Sequence, residues 1–141
     1  MKTIVSVPLD LRAEALSANG REHWSERQAR TRVLRDKGKV THRDVAREFG
    51  RYGVTRARLT VRVTWPADGR RRDVANLAPT IKALVDGAID AGVLPDDDDK
   101  HLVGPDLRVS DAAGATRTGL AWLRFEWEPL EPSTTVERSE G

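Results

Sequence analysis

No cysteine occurs among the 141 residues of this chain. Disulfides and thiolate metal centres are thereby excluded, so any bound metal must rest on oxygen or histidine ligands. Long apolar runs are missing too: none approaches the ~20 residues that a membrane helix needs. The opening Met1-Lys2-Thr3-Ile4-Val5-Ser6-Val7-Pro8 is too short, and turns polar too soon, for a secretory signal. These absences fit a cytoplasmic protein with no membrane partner. What is present is 38% hydrophobic and 33% charged residues, the balance of a globular domain with one modest core.

The formal net charge of +2 conceals a strong asymmetry. Residues 21–72 carry 16 Lys/Arg against 6 Asp/Glu, whereas residues 73–141 carry 6 against 14. A basic half followed by an acidic half suits a polyanion partner together with a separate cation site, although solvated surface charge gives the same count.

Hydrophobic periodicity outlines the elements. Lys2 to Val7 reads as a strand ended by Pro8, and Ser17-Ala18-Asn19-Gly20 as a turn. Ser25 is placed to cap a helix running to about Lys37, with Gly38 as its stop. Thr41 would cap a second helix that buries Val45, Ala46 and Phe49 and ends at Gly50. Between Ala57 and Trp65 apolar and polar residues alternate, the pattern of a strand with one buried and one basic face. Ile81, Leu84, Val85, Ala88 and Ile89 recur at helical spacing, with Pro79 in the first turn and Gly92 at the end. Two short strands, His101 to Val103 and Leu107 to Val109, and a longer one from Gly119 to Trp127 complete the order. It predicts a single α+β domain over residues 1–127, helices packed on one mixed sheet, and a Pro/Ser/Glu-rich disordered tail over 128–141. Trp24 and Trp65 are expected in the core.

Candidate chemistry concentrates in GRRRDVANLAPTIKALVDGAIDAGVLPDDDDK, residues 69–100. Arg70, Arg71 and Arg72 lead directly into Asp73, and Asp96 to Asp99 follow the helix that ends at Gly92. Carboxylates beyond both ends of one helix suit Mg²⁺ if the acidic loop folds back towards Asp73, because hard cations take a few carboxylate oxygens and keep their waters. The arginines would then hold a phosphate backbone. Each feature has a plainer reading: Asp73 as a helix cap, the aspartates as a solvated loop, Asp86 as the i,i+4 partner of Lys82. His23, His42 and His101 lack an evident partner and stay outside the catalytic set.

This segment resembles the central motif of RusA-like Holliday-junction resolvases, in which an arginine-rich turn leads into Asp-x-Asp-Asn-Leu, then a helical lysine, Ala-Gly and a terminal Asp-Asp. Asp73 matches the first catalytic aspartate and Asn76-Leu77 the Asn-Leu. With Ala78-Pro79-Thr80 counted as an insertion, Lys82 matches the lysine, Asp86 lies one turn later, and Asp96-Asp97 match the terminal pair. The Pro-Thr before the lysine and the long acidic run are similar to phage and actinobacterial members. Leu16 to Trp24, with Asn19, also looks like the family's N-terminal loop, so the resemblance spans roughly residues 3–127. It implies a Mg²⁺- or Mn²⁺-dependent endodeoxyribonuclease that resolves four-way or other branched DNA by paired nicks in recombination and repair, as a homodimer. Asp73, Lys82 and Asp97 would be catalytic. Asp73, Asp97, Asp86 and Asp96 would hold the metal, and Arg70, Arg71, Arg72, Asn19, Arg27 and Arg30 the DNA. The family's second aspartate falls on Ala75, which cannot ligate a metal. That departure leaves open a structure-selective DNA-binding protein that does not cleave.

Overall fold

A computed structural model of the chain describes residues 2–18, 20, 22–68, 70, 72–110 and 119–132. Its elements are β1 (Thr3–Leu9), α1 (Trp24–Thr41), α2 (Arg43–Arg51), β2 (Ala57–Thr64), a 3-10 turn (Val74–Leu77), α3 (Ala78–Ala91), β3 (Leu102–Val109) and β4 (Ala121–Pro129). The sheet order is β1-β4-β2-β3, with β4 antiparallel to both β1 and β2, and β2 parallel to β3 across the α3 crossover. The fold is a single α+β domain, with three helices packed on a mixed sheet.

Alternation along the strands decides which face is covered. Ala57, Leu59, Val61 and Val63 are fully buried, as are Ala121, Leu123, Phe125 and Trp127, while Arg58, Thr60 and Arg62 lie on the other face of β2. Among the described residues no helix is long and apolar enough to cross a membrane.

Gly38 does not end the first helix. It is buried inside α1, where a Cβ would collide with the backbone carbonyl of Leu84 in α3. Gly87 returns the contact, since a Cβ there would strike the Arg35 carbonyl. The glycine therefore serves a backbone-to-backbone crossing, and α1 continues for another turn. At its other end the cap is His23 rather than Ser25: the His23 Nδ1 accepts the Ser25 N–H at 3.2 Å, and Trp24 opens the helix. Thr41 caps nothing; its hydroxyl donates to the Lys37 carbonyl at 2.8 Å in the last turn of α1. The second helix extends one residue beyond Gly50, and Tyr52 closes it.

His42 joins the two helices from inside the core. It is fully buried against Phe125 and Trp127, its ring edge-on to both, and its Nδ1–H donates to the Gly38 carbonyl at 3.0 Å. Burial pushes its pKa down to about 4, so the imidazole is neutral in the fold.

Three further expectations change. The segment after the acidic loop is one strand with a register shift against β2, not two short ones. The last strand runs to Pro129, and the Leu130 N–H donates to the Arg56 carbonyl at 2.8 Å, so the first residues assigned to the tail belong to the sheet. Trp24 is 70% exposed, and Trp65 is only half-buried beyond the end of β2.

The crossing predicts opposite outcomes for two helical glycines. Gly38→Ala should destabilise the fold by about 1–3 kcal/mol or more, because backbone cannot yield as a side chain does. Gly50→Ala meets open space and should stabilise by about 0.4–1 kcal/mol. Urea unfolding of both variants checks this; equal effects would contradict the crossing.

Candidate active site

The helix α3 and its flanking loops carry the candidate residues. At its far end Gly92 adopts φ 96°, its N–H bonds back to Ala88 and Ile89, and the Val93 N–H returns to Ala88. That is a left-handed helix stop. Val93 and Leu94 are then buried, which turns the chain back along the helix it has just left. The return covers the ten residues from Gly92 to Lys82, about 15 Å at 1.5 Å per residue. It ends with the Asp97 carboxylate 2.9 Å from the Lys82 ammonium, which also donates to Asp86 at 2.6 Å.

Lys82 thus sits between two carboxylates, one from its own helix and one from the acidic loop. All three are partly exposed, with side-chain accessibilities of 61% for Lys82, 35% for Asp97 and 29% for Asp86. Hydrogen bonding to Asp86 and then Asp97 holds the Lys82 ammonium above the ordinary lysine range. Its bond to Lys82 holds the Asp97 carboxyl below the usual carboxylate range. This cluster borders a recess of about 350 Å³ between α3 and β3, lined also by Ile81, Val85 and Leu107.

The four consecutive aspartates have different tasks. Asp96 accepts the Asp97 N–H at 2.7 Å, which steadies the neighbouring backbone. Asp98 binds the His101 Nδ1 at 2.5 Å, and its carbonyl accepts the His101 and Leu102 N–H groups, tying the loop to the start of β3. Asp99 is exposed. His101 therefore has a carboxylate partner that the sequence did not reveal, and its setting is that of a loop staple.

Asp73 lies elsewhere around the helix start. It caps the 3-10 turn by accepting the Ala75 N–H at 3.0 Å, the plainer of the two roles its position suggested. It lines a second recess, of about 280 Å³, with Asn76, Leu77, Trp65 and Arg72. The two recesses share no lining residue; Leu77 lines one and Ala78 the other. Among the described residues no hydrogen bond or ion pair joins Asp73 to Asp97 or Asp86, and no three His, Cys, Asp or Glu side chains gather as a metal site. Mg²⁺ commonly uses one or two carboxylates and completes its shell with water and substrate phosphate. Asp86 and Asp97 fit such a two-carboxylate site in donor type, and the Lys82 ammonium already bonds to both.

The basic residues divide as sharply. Arg72 forms a two-pronged bond with Asp68 at 2.5 and 2.7 Å and lies 5.6 Å over the Trp65 ring. These contacts keep Asp68 well below the usual carboxylate range, Arg72 being the main cause. Arg70 is exposed and lines an open cleft of about 730 Å³ with Arg12 and Arg72. Arg27 instead donates to Glu22 at 2.7 Å and to the Ser17 carbonyl at 2.8 Å, and Arg30 to the Ala15 carbonyl at 2.8 Å. Both arginines hold the loop after β1, which Thr80 also anchors by accepting the buried Leu16 N–H at 2.8 Å. Asn19 and Arg71 lie outside the described residues. Asp68 and Thr80 escaped the sequence reading; an Asp four residues before an arginine was the available signal for the first, and nothing local marked the second.

No protein-family model matches the chain, and no curated protein matches it.

Replacing Lys82 with Met isolates the pairing. The Asp97 carboxyl should titrate closer to the ordinary value of about 3.9, followed by carbon-13 NMR of its side chain. Because the ions are exposed, the melting temperature should move by only a few degrees, in keeping with ~1 kcal/mol or less. An unchanged Asp97 titration would rule out the pairing.

Proposed function

We propose that this chain is a cytoplasmic, metal-dependent endodeoxyribonuclease that cuts four-way junctions or other branched DNA by paired nicks, in DNA recombination and repair. The observation that carries this reading is the return of the acidic loop to Lys82, so that Asp97 and Asp86 share one lysine on the helix that Asp73 precedes. These are the residues on which the chain resembles RusA-like resolvases. Arg12, Arg70 and Arg72 line the open cleft together with Asp10 and Asp68, and Arg72 also lines the recess of Asp73, so the arginines support a phosphate-backbone contact close to Asp73.

In this reading Asp97 and Asp86 would hold Mg²⁺ or Mn²⁺, Asp96 would steady the Asp97 backbone, and Asp73 would act from the separate recess that it lines. A divalent ion bound there supplies charge that polarises the phosphodiester and stabilises the leaving oxygen. Lys82 offsets negative charge at the phosphate, and Arg70 and Arg72 fix the strand. Two symmetric nicks in a two-fold junction call for two copies of the site, hence a homodimer.

A second reading, a DNA-binding protein that does not cleave, is favoured by two observations. Ala75 supplies no carboxylate beside Asp73, and the Lys82 ammonium already stands between Asp86 and Asp97.

A labelled four-way junction incubated with Mg²⁺ separates the two. Symmetric nicks from the parent protein, falling roughly 100-fold or more in Asp73→Asn and Asp97→Asn variants, are expected. Tight, salt-sensitive binding with no nicks in any sample would overturn the nuclease and leave the binding protein.

A further inference from the structure

Trp24 is the large apolar side chain that the described fold leaves most exposed, at 70%. Its place is set by the His23 cap, which starts α1 at the tryptophan. Trp24, Gln28, Thr31 and Arg35 follow at intervals of four, three and four residues, so they share one side of α1. With Arg27 and Arg32 they line a groove of about 470 Å³.

Three arginines therefore share a groove with one exposed indole. Two are fixed in place: Arg27 by Glu22, and Arg35 by a two-pronged bond to Asp90 at 2.5 and 2.8 Å. They remain accessible, at 33% and 52%. Arg32 is exposed and has no ion pair among the described residues. No ring or guanidinium stacks on Trp24 among the described residues, whereas Arg72 covers the half-buried Trp65.

We propose that this groove receives an unpaired nucleotide of a DNA strand, its base stacked on Trp24 and its neighbouring phosphates held by Arg32 and the tethered arginines. The inference rests on the DNA-directed reading above and adds the strand state that is recognised. An indole presents one flat apolar face, which a base can cover only when it is not stacked within a duplex. Branch points and frayed arms supply such bases. Charge selects against the other flat partner, a second copy of the same groove, because that would bring two arginine clusters together.

The test uses the full chain, a labelled oligothymidylate of roughly 20 nucleotides and a blunt duplex of the same length. Trp24→Ala should weaken binding to the oligothymidylate ~5–100-fold while changing duplex binding less than about twofold, and Trp24→Phe should keep most of the affinity. Arg32→Ala should lower the salt dependence by about one phosphate contact. Equal losses on single strand and duplex, or no loss on either, would overturn the groove. So would a Trp24→Ala variant that turns a dimer into a monomer on sedimentation and loses DNA binding only through that change. Junction nicking by a protein whose single-strand binding ignores Trp24 would sink this inference and leave the nuclease standing. A parent protein that binds no DNA would end both.

Discussion

Two helices of this domain touch backbone to backbone, and the placement of the candidate site follows from that contact. Gly38 and Gly87 let α1 and α3 cross without a side chain between them. The crossing presses Leu34 of α1 and Ile81, Leu84 and Ala88 of α3 into the core, so α3 has little freedom to rotate. Its solvent edge then carries Lys82 and Asp86, and Asp90 is drawn to Arg35 across the same interface. A helix held this firmly gives its charged residues fixed positions, which a reacting group or a phosphate requires.

The acidic loop depends on the same helix for a different reason. Four aspartates in sequence repel one another and would ordinarily spread into solvent. Here burial of Val93 and Leu94 reverses the chain, and three of the four side chains are bound separately. Asp96 steadies the backbone, Asp97 takes Lys82, and Asp98 takes His101. Repulsion is relieved by distributing the carboxylates, which explains why a run of charge reads as one site in the sequence and becomes three local contacts in the fold.

Where one periodicity dominated, the sequence was sufficient. The alternation in β2 and the apolar stripe of α3 name most of the buried residues, Trp65 and Ile89 being only half-buried, and Gly92 reads as the helix stop. Gly38 misled because a glycine that ends a helix and one that admits a neighbouring helix look the same locally; only the tertiary contact separates them. Trp24 was assigned to the core because tryptophan usually goes there, but its exposure is decided by where the His23 cap starts the helix. The i,i+4 pairing of Lys82 with Asp86 was legible as a spacing, whereas the bond from Lys82 to Asp97 depends on a loop reversal that no local signal guarantees. Asp73 reads in the sequence as a metal ligand with a cap as the plainer alternative; its side chain caps the 3-10 turn, and no local signal showed that it would line a different recess from Asp97.

The proposed nuclease requires that Asp86 and Asp97, both bonded to Lys82, also take a divalent ion. Titrating Mn²⁺ into isotope-labelled protein and following paramagnetic broadening tests this residue by residue. Signals of Lys82, Asp86 and Asp97 should broaden first, ahead of Asp98 and Asp99. Broadening centred on Asp99 and the outer loop, or no selective broadening at all, would contradict it.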